Sequence, residues 1–390
     1  MKLEETTEDV EFREEIRSWL DGVLPEVWGA DAPPTDPSEE EDYATRRRFD
    51  KVMYRDGWAG LAWDRDYGGQ GRSLRHQIIF SEECERAGAP EVFNRVAVGI
   101  IAHAIMLFGT EEQKKRFLPK ILSAEEIWCQ GFSEPEAGSD LAAQRARAVP
   151  TDDGWILNGQ KVWTTLAHYA DFCFILARTD TEGPRHKGIS AFILDLRQEG
   201  VEVRPIRQIN GDHEFAEVFL TDAFVPGDMI LGEPGQGWAI AMGALEYERS
   251  TNFMKRQVRL SLQIDELVER CRAHRDSLHS ELLDRLTDLM VRSERLRFTV
   301  WRSVDLITRT GKPDILNNAS KVYWSETQQQ LARLALEVEA AIRDGGGVDG
   351  DGQHTRRSTD YLSARATTIY AGTSEIQRNI IAERGLGLPR

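Results

Sequence analysis

Gly131-Phe132-Ser133-Glu134-Pro135-Glu136-Ala137-Gly138-Ser139-Asp140 is the stretch that decides this chain, read together with Trp163-Thr164-Thr165 further along. Ser133, the Gly138-Ser139 turn and Thr165 present hydroxyls and backbone N–H groups suited to a polar ring edge and an anionic diphosphate, while Trp163 supplies a flat apolar wall. That combination suits an isoalloxazine ring. Pro, Gly, Ser and Asp also gather in ordinary loops, so the first block by itself reads as a turn, and the second block gives it meaning.

Upstream, from about Glu8 to Glu126, the apolar spacing is helical, as in Phe12, Ile16, Trp19 and Leu20. A polar Pro-rich loop at Ala32 to Glu41 and the Gly68-Gly69-Gln70-Gly71 turn interrupt it. Thr110 with Gln113 forms a capping box that starts a helix over Lys114 to Leu122. The apolar run Val96 to Phe108 is too short to span a bilayer and predicts a buried helix, with His103 a core or pocket-edge histidine rather than a ligand. Between Ile127 and Pro226 the period becomes that of strands: Gly154 to Leu157, a hairpin turn at Asn158-Gly159, Lys161 to Trp163, Phe172 to Leu176, Ala191 to Leu194, Val201 to Val203 and Glu217 to Leu220. So many short strands predict a small barrel or sandwich. From Trp238 helices return over Val258 to Arg272, Leu282 to Asp305 and Leu316 to Arg343, ending at the glycine-rich run 345–350.

With 390 residues, 41% of them apolar, the chain is long enough for roughly two or three domains of about 150 residues with real cores. A net charge of −16 argues against nucleic-acid and anionic-membrane partners and means that an anionic ligand needs local donors. Cys84, Cys129, Cys173 and Cys271 lie far apart without a CxxC pair, which fits a reducing cytoplasm and predicts neither a metal site nor a disulfide framework. The acidic, helix-forming start Met1-Lys2-Leu3-Glu4-Glu5 shows no export signal, so a cytoplasmic location is expected.

The order of helical, β and helical segments resembles the acyl-CoA dehydrogenase family over essentially the whole chain. Besides the two opening blocks, Asn158-Gly159-Gln160-Lys161, Gly235-Gln236-Gly237-Trp238 and Tyr370-Ala371-Gly372-Thr373-Ser374-Glu375-Ile376-Gln377-Arg378-Asn379 fall in the family's order. The resemblance implies an α+β fold with an N-terminal helical domain (1–126), a middle β-barrel domain (127–235) and a C-terminal four-helix bundle (236–390). It implies FAD as cofactor, with Ser133 and Thr165 on the flavin ring and Trp163 beside it. Gly138 and Ser139 would face the phosphates or the coenzyme A arm, and Thr373 and Glu375 would lie near the diphosphate.

The reaction implied is α,β-desaturation of an acyl-CoA thioester, with hydride transfer to flavin N5 and reoxidation by an electron-transfer flavoprotein. Many members place the catalytic base just after the tyrosine of the Tyr-Glu-Gly-Thr block, where this chain has Ala371. Another subgroup carries it on the first long helix of the C-terminal domain, before an arginine, and Glu248 followed by Arg249 matches that position. Burial under an acyl chain would raise such a carboxyl from about 4.3 towards neutrality, making it a better base. The backbone N–H of Ala371 would still serve as an oxyanion donor. Arg249, Tyr370 and Gly372 would bind substrate, and Asn94 to Gly99 would line the acyl-tail pocket.

Homotetrameric members grip the adenosine half of FAD across an interface with an Arg-x-x-Phe-Gly segment and a later glycine-rich run containing glutamine. At the first place this chain has Glu269-Arg270-Cys271-Arg272-Ala273-His274-Arg275, with no Phe-Gly, and at the second Ala341-Ile342-Arg343-Asp344-Gly345-Gly346-Gly347, rich in glycine but without the glutamine. That departure resembles bacterial dehydrogenases assembled from two unlike chains, some acting on sterol side-chain thioesters, so a homo- or hetero-tetramer is expected. Two other readings remain: a non-catalytic FAD- or CoA-binding partner subunit, and a flavin oxidase or monooxygenase on the same fold.

Overall fold

The computed structural model describes residues 5–30, 32–34, 37–310, 314–345 and 353–389, without the side chains of 246–254 and 353–355. They group into two compact units. The first comprises Ser18–Gln77 and Ala89–Glu248, the second Met1–Arg17, Ile78–Gly88 and Arg249–Arg390. Helices α1 (Thr7–Trp28), α2 (Glu39–Arg55), α3 (Leu74–Arg86), α4 (Ala102–Phe108) and α5 (Glu111–Leu122) precede the strands.

In the first unit, α2 and α5 begin at capping boxes, Ser38 with Glu41 and Thr110 with Gln113, each satisfying N–H groups that a helix start leaves open. Gln113 goes further than its cap, donating its amide to the carbonyls of Asp228 and Ile230 at 2.7 and 2.8 Å. The predicted buried helix over Val96 to Phe108 divides into a π-helical turn, Ala97–Ile101, and α4. His103 lies buried there, edge-on to Trp63 at 6.0 Å between ring centroids. Burial pushes its pKa down to about 3, so it is a neutral core histidine.

The strands are β1 (Trp128–Gly131), β2 (Arg147–Pro150), β3 (Gly154–Thr165), β4 (Phe172–Arg178), β5 (Ile189–Asp195), β6 (Val201–Ile206), β7 (Phe215–Pro226) and β8 (Ile230–Leu231). They form one sheet in the order β6-β7-β3-β2-β4-β5-β8, with β1 parallel to β4. Two halves meet at a single register pair, Arg147 opposite Arg178 between β2 and β4. β4 is apolar on both faces because it separates two cores. Phe172, Phe174 and Leu176 pack with α4, α5 and Ile240, Ala241 and Ala244, while Cys173, Ile175 and Ala177 pack with Leu157, Phe192, Val218 and Val225 from both halves of the sheet. The second cluster makes the sheet barrel-like, with an apolar filling enclosed by its own strands.

The expectation of a hairpin turn at Asn158-Gly159 is corrected. β3 runs through it, with a register shift against β7 between Leu157 and Gly159. Gly159 has φ +148°, and a Cβ there would come within 2.7 Å of Ala146, so the glycine permits the close approach of the chain entering β2 rather than a reversal. Asn158 exchanges hydrogen bonds with Asp222 across the bulge.

The second unit holds the C-terminal helices. α6 (Gly237–Ala273) contributes residues to both units, and α7 (Ser280–Thr310), α8 (Leu316–Asp344), α9 (Gln353–Ala364) and α10 (Ser374–Ile380) follow. α8 packs against α7, α9 and α10. Buried Glu339 of α8 receives Arg270 of α6 through two hydrogen bonds, at 3.0 and 2.9 Å. No described helix is long and apolar enough to cross a membrane.

Candidate functional site

In the first unit, the opening stretch leaves β1 at Gly131, where a Cβ would meet the Cys173 sulfur at 2.9 Å. Glu134 and Ala137 then exchange backbone hydrogen bonds at 3.0 and 3.1 Å, closing a tight turn. A buried ion pair holds this turn in place. The fully buried Lys161 ammonium donates to the Glu134 carboxylate at 2.8 Å, the Phe132 carbonyl at 3.1 Å and the Gln144 side-chain oxygen at 3.1 Å, so all three of its donors are used. Glu134 also accepts from the backbone N–H groups of Arg145 and Ala146 at 2.5 and 2.9 Å. Burial draws the Lys161 pKa down and Glu134 opposes that shift.

The structure brings the two opening blocks side by side. The Ser133 carbonyl accepts the Val162 N–H at 2.9 Å. β3 shifts register again between Lys161 and Thr164, and Trp163 stands at φ +59° with 56% of its surface exposed. Leu166 follows at φ +55°. Left-handed backbone costs an L residue roughly 1–2 kcal/mol, so the end of this strand stores strain in a way associated with binding sites. Phe215 on β7 meets the Trp163 ring edge-on at 6.1 Å, extending the aromatic wall. The hydroxyls of Ser133, Ser139 and Thr165 have no protein partner among the described residues, and the buried Thr164 hydroxyl lacks one too. A Cβ on Gly138 would meet nothing within 4 Å. Open hydroxyls, an orphaned buried hydroxyl and an exposed aromatic wall fit a flavin.

In the second unit, Ala371 adopts φ +53° and Gly372 φ +85°. A Cβ on Gly372 would strike the Gln377 amide nitrogen at 2.3 Å. That nitrogen donates to the Ala371 carbonyl at 3.2 Å, and Gln377 in turn accepts from Asn318 at 2.6 Å. The turn is thereby clamped by its carbonyl, and the Ala371 N–H has no acceptor among the described residues. Thr373 caps α10, accepting from the Ile376 N–H at 3.2 Å. Exposed Glu375 has its pKa lowered by its own backbone N–H and by Thr373. Arg256 stacks over Trp324 at 4.7 Å and over the Tyr370 ring at 5.4 Å. Lys321 is buried, donates to the Thr367 carbonyl at 3.0 Å, and is pushed down to about 8 by burial and then by Arg256.

The side chains of Glu248 and Arg249 lie outside the described residues, though both positions fall within α6. The expected tail-pocket role of Asn94 is corrected. Asn94 is buried and bonds the Ile121 and Glu126 carbonyls and the Trp128 N–H, and Arg95 pairs with Glu214. Phe215, Lys161 and Arg256 were missed as contributors, because each acts through a partner remote in sequence, and Gln377 because its clamp on the Ala371 carbonyl depends on the local turn geometry.

The acyl-CoA dehydrogenase N-terminal, middle and C-terminal domain models match residues 6–125, 129–223 and 235–386. The chain belongs to the acyl-CoA dehydrogenase family, oxidoreductases acting on CH–CH bonds. Among its relatives, acyl-CoA dehydrogenase IpdE1 of Mycolicibacterium smegmatis is 38% identical over 391 residues, 97% of this chain and 98% of the relative. IpdE1 of Mycobacterium tuberculosis is 39% identical over 383 residues, 97% of this chain and 98% of the relative. The solved ChsE4-ChsE5 complex from Mycobacterium tuberculosis contains a chain 30% identical to this one, with a TM-score of 0.82 and 100% of both chains covered. The Tcur3481-Tcur3483 steroid ACAD matches at 29% identity and a TM-score of 0.83, also over 100% of both chains.

Proposed function

We propose that this chain is a FAD-dependent acyl-CoA dehydrogenase that desaturates the α,β bond of an acyl-CoA thioester. Its domains are 1–126, 127–235 and 236–390, the last a four-helix bundle. Bound FAD would supply hydride-accepting chemistry for the β hydrogen, with an electron-transfer flavoprotein as the expected electron acceptor. Ser133 and Thr165 orient the ring edge, Trp163 keeps water from its face, and Gly138, Ser139, Thr373 and Glu375 flank the diphosphate or the coenzyme A arm. The Glu248 carboxylate takes the α proton, while Arg249, Tyr370 and Gly372 bind the substrate.

The observation that carries this reading is the Ala371 N–H, left without an acceptor among the described residues in a strained turn whose carbonyl is clamped by Gln377. A donor fixed in this way meets the negative charge that grows on a thioester oxygen as the α proton leaves, without reorganising first. The steroid ACAD relative supports a bulky acyl group, such as a sterol side-chain thioester. The ChsE4-ChsE5 complex supports assembly of this chain with a second, unlike chain.

The deciding experiment is purification alone and with co-encoded neighbours, followed by a visible spectrum and a screen of acyl-CoA thioesters. Bleaching of the flavin band by a thioester is the expected result. A tightly bound flavin that no thioester reduces would make the chain a non-catalytic partner subunit, and turnover with oxygen alone would make it an oxidase or monooxygenase.

A further inference from the structure

The turn that carries the Ala371 N–H is held at both ends from one helix. Asn318, Lys321 and Gln329 lie on a common face of α8, spaced as i, i+3 and i+11. At the entry to the turn, Gln329 donates to the Thr368 hydroxyl at 2.9 Å and the Lys321 ammonium donates to the Thr367 carbonyl at 3.0 Å. At its exit, the Asn318 amide donates to Gln377 at 2.6 Å, and Gln377 donates to the Ala371 carbonyl at 3.2 Å. Between these points the chain closes on itself, the N–H groups of Ile369 and Tyr370 both reaching the Ala366 carbonyl, at 2.9 and 3.1 Å. A shift at Thr367 is thereby passed to Tyr370 and the residue after it.

Lys321 is an unusual choice for a buried position. It is fully covered, has no ion pair among the described residues, and makes its one hydrogen bond there to a neutral carbonyl, so two of its three donors are unspent. Buried Lys161, by contrast, spends all three and pairs with a carboxylate. A methionine would fill the same space without desolvating a charge, so packing alone does not account for an ammonium at this position. The charged groups that face it are Arg256 from α6, Glu375 from α10 and Glu326 from α8 itself, the last already paired with Arg378 of α10. From the segment 365–368, Arg365 turns away to the carbonyls of Tyr361 and Gln329. Burial, and then Arg256, draw the Lys321 pKa down to about 8, so its charge is present at neutral pH and lost just above it.

We propose that Lys321 and Asn318 are positioning residues for the desaturation, Lys321 setting the entry to the Ala371 turn and Asn318 setting its exit through Gln377. The inference rests on the reading of the Ala371 N–H as the donor to the thioester oxygen. Neither side chain touches the reacting atoms. They act by holding the backbone in its left-handed conformation, at φ +53° for Ala371, where an L residue does not stay unaided. When Lys321 loses its proton, a charge-assisted hydrogen bond to Thr367 becomes a weaker neutral one, and the turn loosens. The site thus acquires an alkaline limit that comes from the support of the turn, separate from the acid limit set by the base.

The test compares the full-length parent, in its flavin-loaded assembly, with Lys321→Met, Lys321→Arg and Asn318→Leu. It reads flavin bleaching by an acyl-CoA thioester across pH and hydrogen exchange of the segment 365–373. The parent rate should fall about fivefold as pH rises through the Lys321 titration, as a charge-assisted bond becomes a neutral one. Lys321→Met should be slower by about tenfold at neutral pH with KM unchanged and with no alkaline fall, since its donor is already gone. Lys321→Arg should recover most of the rate and hold it to higher pH, because a guanidinium stays charged. Asn318→Leu should slow bleaching and keep the alkaline fall. Flavin content should be equal in all four, and the segment 365–373 should exchange faster in Lys321→Met and Asn318→Leu while α7 does not. If Lys321→Met fails to fold, Lys321→Arg and Asn318→Leu carry the same comparison. Equal rates and pH profiles in parent and variants, with the parent bleaching, would overturn the positioning roles. In a protein that no thioester reduces, faster exchange confined to 365–373 would uphold the support of the turn while the dehydrogenase reading fails, and unchanged exchange would overturn the inference itself.

Discussion

The Lys161 ammonium lies 2.8 Å from the Glu134 carboxylate, and both side chains are buried, at 0% and 7% exposure. Their pairing locks the 131–140 loop onto β3. Removing one partner leaves an uncompensated buried charge, so Lys161→Met or Glu134→Leu should each cost roughly 3–5 kcal/mol. The double variant should cost much less than the sum, because it leaves neither charge stranded. Urea melts of the three variants check this, and additive losses would show that the pair is not a unit.

The fold was legible where one residue type dictates one environment. The unbroken apolar run of β4 announces a strand buried on both faces, and Thr110 with Gln113 announces a helix start. The Asn-Gly at 158–159 misled because the tight approach of Ala146, which only the tertiary fold creates, also requires glycine. At the site, hydroxyls and the tryptophan could be read in the chain. Lys161 could not, since a strand lysine ordinarily faces water and its burial depends on Glu134. Phe215 meets Trp163 only through the pairing of β3 with β7, which local periodicity does not specify.

The backbone at Trp163 separates folding from binding. At φ +59°, glycine is the relaxed residue, so Trp163→Gly should be more stable than Trp163→Ala by about 1 kcal/mol. Both variants should bind flavin more weakly, and Thr165→Val should shift the flavin potential with little change in melting, each loss being about 1 kcal/mol. Flavin affinity and potential unchanged in all three would remove the cradle from this strand.

His103 sets a pH signature. In the folded chain it titrates near 3, against the 6.5 of an ordinary solvated histidine. Between those values the unfolded chain binds the extra proton, so stability rises with pH through that window and this contribution is lost as pH falls. His103→Gln should flatten that component, which denaturant melts at about pH 5 and pH 7 would reveal as a smaller stability difference than in the parent. An identical difference in parent and variant would mean His103 is protonated in the fold.

For the base, Glu248→Gln should keep the flavin bound and slow its bleaching by a thioester a hundredfold or more, on the order expected for a lost general base. The amide retains size and some hydrogen bonding but accepts no proton. Rapid-mixing reduction near the parent rate would place the base elsewhere.

Assembly is the last consequence. Arg270, in the segment where the family resemblance implies an arginine reaching a neighbour's FAD, spends its guanidinium on Glu339 at 3.0 and 2.9 Å and contacts His274 at 3.1 Å within its own chain. A residue held twice by a buried carboxylate is poorly placed to leave it for a diphosphate in another subunit. The chain expressed alone should therefore purify with little FAD and fill when a related second chain supplies the missing contacts, because a ligand that binds only the assembled state stabilises that state by mass action. Flavin-to-protein ratio and mass by light scattering, measured with and without the co-encoded neighbour, decide the matter. Stoichiometric FAD in a fully active homotetramer of this chain would falsify the two-chain assembly.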